Sequence, residues 1–113
     1  FTDRTTLAQL ALLMDQCSLY LGSDTGLMHF AVALGKYVIE LSIELADGQP
    51  TDGASPARMG PWGVKSQIIQ PLGLDDCRGF CKKSYAHCIN TISVQTVETA
   101  LERYFFKYRT DTW

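Results

Sequence analysis

The sequence has no apolar run that approaches the roughly 18 residues of a membrane-spanning helix. It also has little imbalance of charge, with 10 Lys and Arg against 12 Asp and Glu. The resulting formal net charge of −2 argues against general binding to nucleic acid. Nothing repeats internally, and no segment is of low complexity. What is present is ordinary for a soluble protein: 113 residues, 46% of them apolar, enough for one domain with a modest core.

The start of the chain also lacks the features of an export signal. Residues 1–4 contain no initiator Met, and no basic segment followed by an apolar one comes after them. We therefore expect a cytoplasmic protein in a reducing compartment. The missing Met also leads us to expect a processed or excised piece of a longer protein.

Apolar residues at helical and strand spacing predict alternating helices and strands. Thr6 and Gln9 have the form of a capping box, so a helix should follow them. Residues 17–21 form a near-continuous apolar run, which is typical of a strand in a parallel sheet covered on both faces. A helix opening at Asp24 and a second apolar strand over residues 37–42 complete a strand–helix–strand unit. The predicted fold class is therefore α/β with a parallel sheet.

Glycine and proline divide the second part of the chain. Gly35 is placed to end the second helix. Residues 43–63 contain no convincing element, and a loop of this length indicates function or disorder. A third strand is predicted over residues 64–70, and Ser93 caps a closing helix over residues 93–107. The apolar face of that helix is expected to comprise Val94, Val97, Ala100, Leu101, Tyr104 and Phe105.

The stretch of residues 19–29 carries the strongest functional signal. A short apolar run ends in Gly22, a small polar cluster follows, and a helical pattern then begins. This order predicts a strand, a tight turn and a helix N-terminus, whose unpaired backbone N–H groups suit phosphate. Ser23 or Asp24 can cap the helix, and Gly26 lets a ligand approach the backbone. The alternative is that the cluster is only a helix cap.

The cysteines suggest two different roles. The four are Cys17, Cys77, Cys81 and Cys88. Cys17 lies in an apolar stretch and should pack as a small hydrophobic residue. The other three lie in the segment of residues 75–90, and the adjacent His87 invites a metal interpretation. Because His87 and Cys88 are neighbours and can seldom both bind one ion, a disulfide or free thiols are favoured over zinc.

Four motifs occur in an order and spacing that resemble one known family. They are the capped helix of residues 6–10, the Gly-x-Asp-Thr-Gly-x-x-His pattern of residues 22–29, the Pro-Ala-Arg-x-Gly-Pro-x-Gly loop of residues 56–63, and the cysteine cluster of residues 77–88. In this order they resemble glycosyltransferase family 9, the ADP-heptose:lipopolysaccharide heptosyltransferases. The similarity runs from about residue 6 to residue 101. Two departures are the extra residues 43–52 and Phe80, where members often have Pro.

The resemblance implies an incomplete enzyme. Family members have two Rossmann-like domains in the GT-B architecture, and this chain resembles only the C-terminal half, as a partial Rossmann-like sheet with flanking helices. The N-terminal half is implied to bind the lipopolysaccharide-core acceptor and to carry the catalytic base, so no catalytic residue is expected here. The full-length enzyme would work in the cytoplasm, at the inner face of the inner membrane. The truncated sheet is expected to leave an exposed edge through which copies self-associate.

The resemblance also implies a donor site for a nucleotide sugar such as ADP-heptose, with no cofactor and no metal. The amides of Thr25, Gly26 and Leu27 would face the diphosphate. The other donor-binding candidates are Ser23, Asp24, His29 and, more weakly, Arg58, Glu40 and Glu44. Asp24 would bind sugar hydroxyls or cap the helix, His29 would donate a hydrogen bond or only pack, and Arg58 would clamp phosphate or remain solvated. Glu40 and Glu44 would bind ribose or sugar hydroxyls.

Two other functions remain open. The same fold could serve as a non-catalytic module that holds a ligand or partner, with the long loop and the aromatic tail as the contact surface. The cysteine cluster could instead form a metal or redox module.

Overall fold

The computed structural model describes residues 3–42, 56–71 and 89–109, apart from the side chains of Arg58, Tyr108 and Arg109. In chain order its elements are α1 (Leu7–Asp15), β1 (Leu19–Ser23), α2 (Gly26–Ala33), β2 (Tyr37–Leu41), α3 (Pro56–Met59), β3 (Ser66–Ile69) and α4 (Val94–Tyr104). A 3-10 turn (Ile89–Thr91) precedes α4, and a π-helical turn (Phe105–Arg109) follows it. No helix in these three ranges combines the length and the apolar character needed to cross a membrane.

The three strands form one parallel sheet in the order β1-β2-β3, which confirms the predicted α/β class. Leu19 pairs with Tyr37 at one end of the β1–β2 ladder, and Ser23 pairs with Leu41 at the other. The central strand, β2, is buried along Tyr37 to Glu40. All three strands therefore present their carboxyl ends at the same edge of the sheet.

Helices cover both faces of the central strand. Successive residues of the strand point to opposite faces, so they pack alternately against the two helices. On one face, Tyr37 and Ile39 pack against Ala100 and Tyr104 of α4. On the other face, Val38 packs against Met28 and Ala31 of α2. Glu40 follows in the same alternation and so lies on the α2 face.

Two predicted helix boundaries are confirmed, the start of α1 and the end of α2. Thr6 and Gln9 make the reciprocal bonds of a capping box at the start of α1. At the end of α2, Gly35 adopts a φ of +73° and donates its N–H to the carbonyl of Val32. The Lys36 N–H bonds to the Ala31 carbonyl, which completes a Schellman motif.

Three predictions about local structure are wrong. Cys17 is exposed and does not pack as a hydrophobic residue, because it lies in the turn between α1 and the start of β1 at Leu19. The thiol instead bonds to the carbonyl of Leu13 in α1, at 3.4 Å. The region predicted to be a loop, residues 43–63, contains the one-turn helix α3.

The third error concerns the apolar face of the closing helix. Ala100 and Tyr104 are buried as expected, but Val94 is 75% exposed and Phe105 is 46% exposed. Val94 is the first residue of α4, and Phe105 directly follows its last residue. The cysteines of the 75–90 segment and the extra residues 43–52 lie outside the described residues, so the predictions about them remain untested.

One side-chain hydrogen bond holds α4 against the edge strand β3. The Gln67 amide nitrogen donates to the Ala100 carbonyl at 2.7 Å. We expect Gln67→Met to keep the side-chain volume but to lower the free energy of unfolding by about 1 kcal/mol, the net value of one such bond. Gln95→Met, at an exposed position of α4, is the control. Equal urea midpoints for the two variants would contradict this assignment.

Candidate functional site

The candidate site is the turn of residues 23–27, called here the 23–27 turn. Strand β1 ends at Ser23 and α2 begins at Gly26, so that only Asp24 and Thr25 lie between them. The turn lies at the carboxyl edge of the parallel sheet. This is the edge at which open α/β folds bind their ligands.

The residue that caps α2 is Thr25, and the prediction of Ser23 or Asp24 as the cap is wrong. Thr25 has an extended backbone, with φ −98° and ψ 175°, and its carbonyl accepts the first helical bonds from Met28 and His29. Its side chain makes no capping hydrogen bond. The hydroxyl of Thr25 therefore does not occupy the amides of the first turn.

Within the described residues, two of the three amides predicted to face a ligand have no acceptor. The Thr25 N–H donates to the Ser23 carbonyl at 2.9 Å, so the prediction of a free amide there is wrong. The N–H groups of Gly26 and Leu27 have no hydrogen-bond partner within the described part of the chain. At the start of a helix such donors carry partial positive charge, so they form a site that favours an anion.

The space in front of these amides is open. A Cβ atom built on Gly26 would meet no atom of the described residues within 4 Å, and Leu27 is 40% exposed. No side chain of the three described ranges therefore fills the helix start. Gly26 leaves room for a ligand against the backbone, as its position in the sequence predicted.

The other candidate residues fall into two groups. Ser23, Asp24 and His29 belong to the same strand end, turn and first helical turn, and His29 is exposed. The backbone of Arg58 lies in α3, but its side chain is outside the described residues. In the part of the chain described, no three His, Cys, Asp or Glu side chains form a group that could hold a metal ion.

Tyr20 belongs to the site and was missed by the motif analysis. Its hydroxyl donates to the Ser23 carbonyl at 3.0 Å and lies 3.4 Å from the Thr25 hydroxyl. Its ring packs beside the Met28 cluster on the α2 face and passes close to Gly22. The sequence contained a signal for this contact. Residues two positions apart lie on the same face of a strand, and Gly22 has no Cβ atom to keep the Tyr20 ring away from the turn.

Glu40 is a buried acid beneath the same turn. It pairs with Gly22 in the sheet, is 1% exposed, and neither carboxyl oxygen has a hydrogen-bond partner within the described ranges. Burial, with a smaller contribution from the charge of Asp24, raises its pKa from 4.5 to about 7. Because Glu40 is enclosed, its carboxyl group cannot reach sugar hydroxyls, and the prediction that it binds them is wrong. Glu44 lies outside the described residues.

The comparisons with known proteins agree on the family. The model of glycosyltransferase family 9 (heptosyltransferase) matches residues 2–76, which is more than half of the chain. The chain therefore belongs to glycosyltransferase family 9. None of the curated protein sequences compared with it matches.

A solved structure supports the fold. The glycosyl transferase family 9 protein from Veillonella parvula DSM 2008 is 20% identical in sequence and superimposes with a TM-score of 0.65. The match covers 92% of this chain and 28% of that protein. The likeness shows that the α/β arrangement is one found in the family, and that this chain spans about a quarter of that relative's length.

Because Glu40 is buried, we expect the free energy of unfolding to depend on pH. The folded state holds the Glu40 proton up to about pH 7, whereas the unfolded chain releases it near 4.5. The stability that this difference provides is therefore complete below about pH 4.5 and is lost as the pH rises through 7. Glu40→Gln should remove this loss, so the variant should exceed the wild type by up to about 3 kcal/mol at pH 8.

The measurement is urea unfolding from pH 5 to 8 for the wild type, Glu40→Gln and the exposed control Glu98→Gln. Subtracting the wild-type curve from each variant cancels the groups that they share. Glu98→Gln should run parallel to the wild type. A Glu40→Gln curve that is also parallel would mean that Glu40 ionises normally in the folded protein.

Proposed function

We propose that the chain is the donor-binding portion of a glycosyltransferase, and that the 23–27 turn binds the diphosphate of a nucleotide sugar. The observation that carries this proposal is that the amides of Gly26 and Leu27 have no acceptor among the described residues, at an open helix start on the carboxyl edge of a parallel sheet. Family membership supplies the reaction class.

The chemistry that the turn would contribute is stabilisation of the leaving group. As the glycosyl bond breaks, negative charge accumulates on the departing diphosphate. Two amide donors and the dipole of α2 would stabilise that charge, and the Thr25 hydroxyl could rotate to add a third donor. The exposed His29 lies one helical turn further on and is our candidate for an additional hydrogen bond. This proposal requires no cofactor.

Glu40 would limit the negative charge beneath the bound anion. A fully ionised carboxylate there would repel a diphosphate, but burial raises the pKa of Glu40 to about 7. The acid is therefore substantially protonated near neutral pH. Asp24 is half-buried at the turn, and we assign it to sugar hydroxyls rather than to phosphate.

The proposed donor is ADP-heptose and the proposed acceptor a lipopolysaccharide core, in keeping with the heptosyltransferase description of the family. The acceptor would be bound, and the catalytic base carried, by parts of the enzyme that this chain does not contain. We therefore expect no turnover by this chain alone, since it cannot orient an acceptor. Donor binding without transfer by the full-length protein would favour a non-catalytic binding module.

Substitutions at Gly26 test the amide directly, because Gly26 is the first helical residue of α2. Proline is well tolerated at that position and removes the N–H group, and the extended Thr25 before it suits a following proline. Gly26→Ala adds a side chain to the same backbone position but keeps the N–H group. We expect Gly26→Pro to bind ADP about 10- to 100-fold more weakly than Gly26→Ala, the effect of losing one charge-assisted hydrogen bond.

The experiment is calorimetric titration of the full-length protein with ADP and with ADP-heptose, alongside thermal unfolding of each variant. Unfolding midpoints near that of the wild type would show that both variants fold. Equal affinity of the Pro and Ala variants would exclude the Gly26 amide as a ligand. No response of the folded wild type to ADP or to ADP-heptose would reject the proposed donor.

A further inference from the structure

We propose that Tyr20 is a positioning residue whose hydroxyl keeps the Leu27 amide available to the ligand. The inference rests on the proposed function, because it explains how the 23–27 turn is held in a binding geometry. Tyr20 lies in β1 and its ring packs on the α2 face of the sheet, so only its hydroxyl reaches the turn.

The Ser23 carbonyl accepts two hydrogen bonds. One comes from the Tyr20 hydroxyl at 3.0 Å and the other from the Thr25 N–H at 2.9 Å. A carbonyl oxygen has two lone pairs, so both are engaged. Ser23 is also the residue four positions before Leu27, and its carbonyl is the acceptor that the Leu27 amide would use if α2 began earlier.

Tyr20 therefore decides where the helix begins. With the Ser23 carbonyl engaged, α2 starts at Gly26 and the Leu27 amide has no acceptor in the described structure. Without the tyrosine hydroxyl, the carbonyl could turn toward Leu27, and Ser23 would become the cap. That alternative is the start that the residue pattern alone favours, since serine is a preferred N-cap.

The contact with Thr25 acts in the same direction. The Tyr20 hydroxyl has one hydrogen, which it donates to Ser23, so in the 3.4 Å contact the Thr25 hydroxyl is the donor. This contact keeps the Thr25 side chain away from the amides that it would otherwise cap. Gly22 makes the arrangement possible, since a Cβ there would lie 2.7 Å from the Tyr20 hydroxyl oxygen.

The test is Tyr20→Phe, which keeps the packed ring and removes only the hydroxyl. We expect ADP to bind about 5- to 20-fold more weakly to the full-length variant, because one ligand donor is lost to the helix. We also expect hydrogen exchange of the Leu27 amide, followed by NMR, to slow as this group gains the Ser23 carbonyl. A role confined to stability would not slow exchange at Leu27.

The matched control is Tyr104→Phe, the same change on the opposite face of the sheet. The Tyr104 hydroxyl has no hydrogen-bond partner among the residues that the structure describes, so neither ADP affinity nor Leu27 exchange should change. Gly22→Ala provides a second variant, because it displaces the Tyr20 hydroxyl without altering Tyr20. Gly22→Ala should weaken ADP binding, as Tyr20→Phe does.

The outcomes separate this inference from the proposed function. Unchanged Leu27 exchange in Tyr20→Phe, or ADP affinity within twofold of a wild type that does bind ADP, would overturn the role of Tyr20. A wild type that binds neither ADP nor ADP-heptose would overturn the proposed function. In that case, slower Leu27 exchange in Tyr20→Phe would still support the role of Tyr20 in setting the start of α2.

Discussion

The Ser23 carbonyl is the point on which the candidate site depends. It accepts hydrogen bonds from the Tyr20 hydroxyl and the Thr25 amide. Because the carbonyl is engaged by these bonds, α2 begins at Gly26 and not directly after β1. The Gly26 and Leu27 amides are left without acceptors in the described ranges. An unpaired amide has a cost only where water cannot reach it, and this turn is open to solvent. The Gly26 and Leu27 amides can therefore remain available to bind an anion at little cost in stability.

The parallel sheet supplies the framework for this arrangement. Gly22, in the strand that leads into the turn, leaves room for the Tyr20 ring on the face that α2 covers. On the same face, the neighbouring strand places the enclosed acid Glu40 beside Gly22. A tyrosine hydroxyl and a carboxyl whose pKa is raised to about 7 thus lie near the helix start. Both add less negative charge than an ordinary, fully ionised carboxylate would add where a diphosphate is proposed to bind.

Much of the local structure could be predicted from the sequence because it depends on neighbouring residues. The Thr6–Gln9 capping box, the Gly35 stop and the parallel strand–helix–strand unit are set by short-range patterns, and the structure confirms them. The location of the 23–27 turn followed for the same reason. The capping residue could not be predicted in this way, because the contact between Tyr20 and the Ser23 carbonyl competes with the local preference for a serine cap.

Other features depend on contacts between distant parts of the chain. Glu40 is enclosed only because strands pair on both of its sides and helix α2 covers its face, so its burial could not be read from one strand. Cys17 was expected to be buried with β1, but the strand begins two residues later and the thiol is exposed. Such contacts determine which polar groups are paired, and the chemistry of the site follows from them.

The central claim is that the Gly26 and Leu27 amides bind the donor diphosphate. The most direct measurement is a crystal structure of the full-length protein with ADP-heptose or ADP. We expect diphosphate oxygens at hydrogen-bond distance, about 2.7–3.2 Å, from both amide nitrogens. A diphosphate bound elsewhere in the protein, with both amides facing solvent, would contradict it.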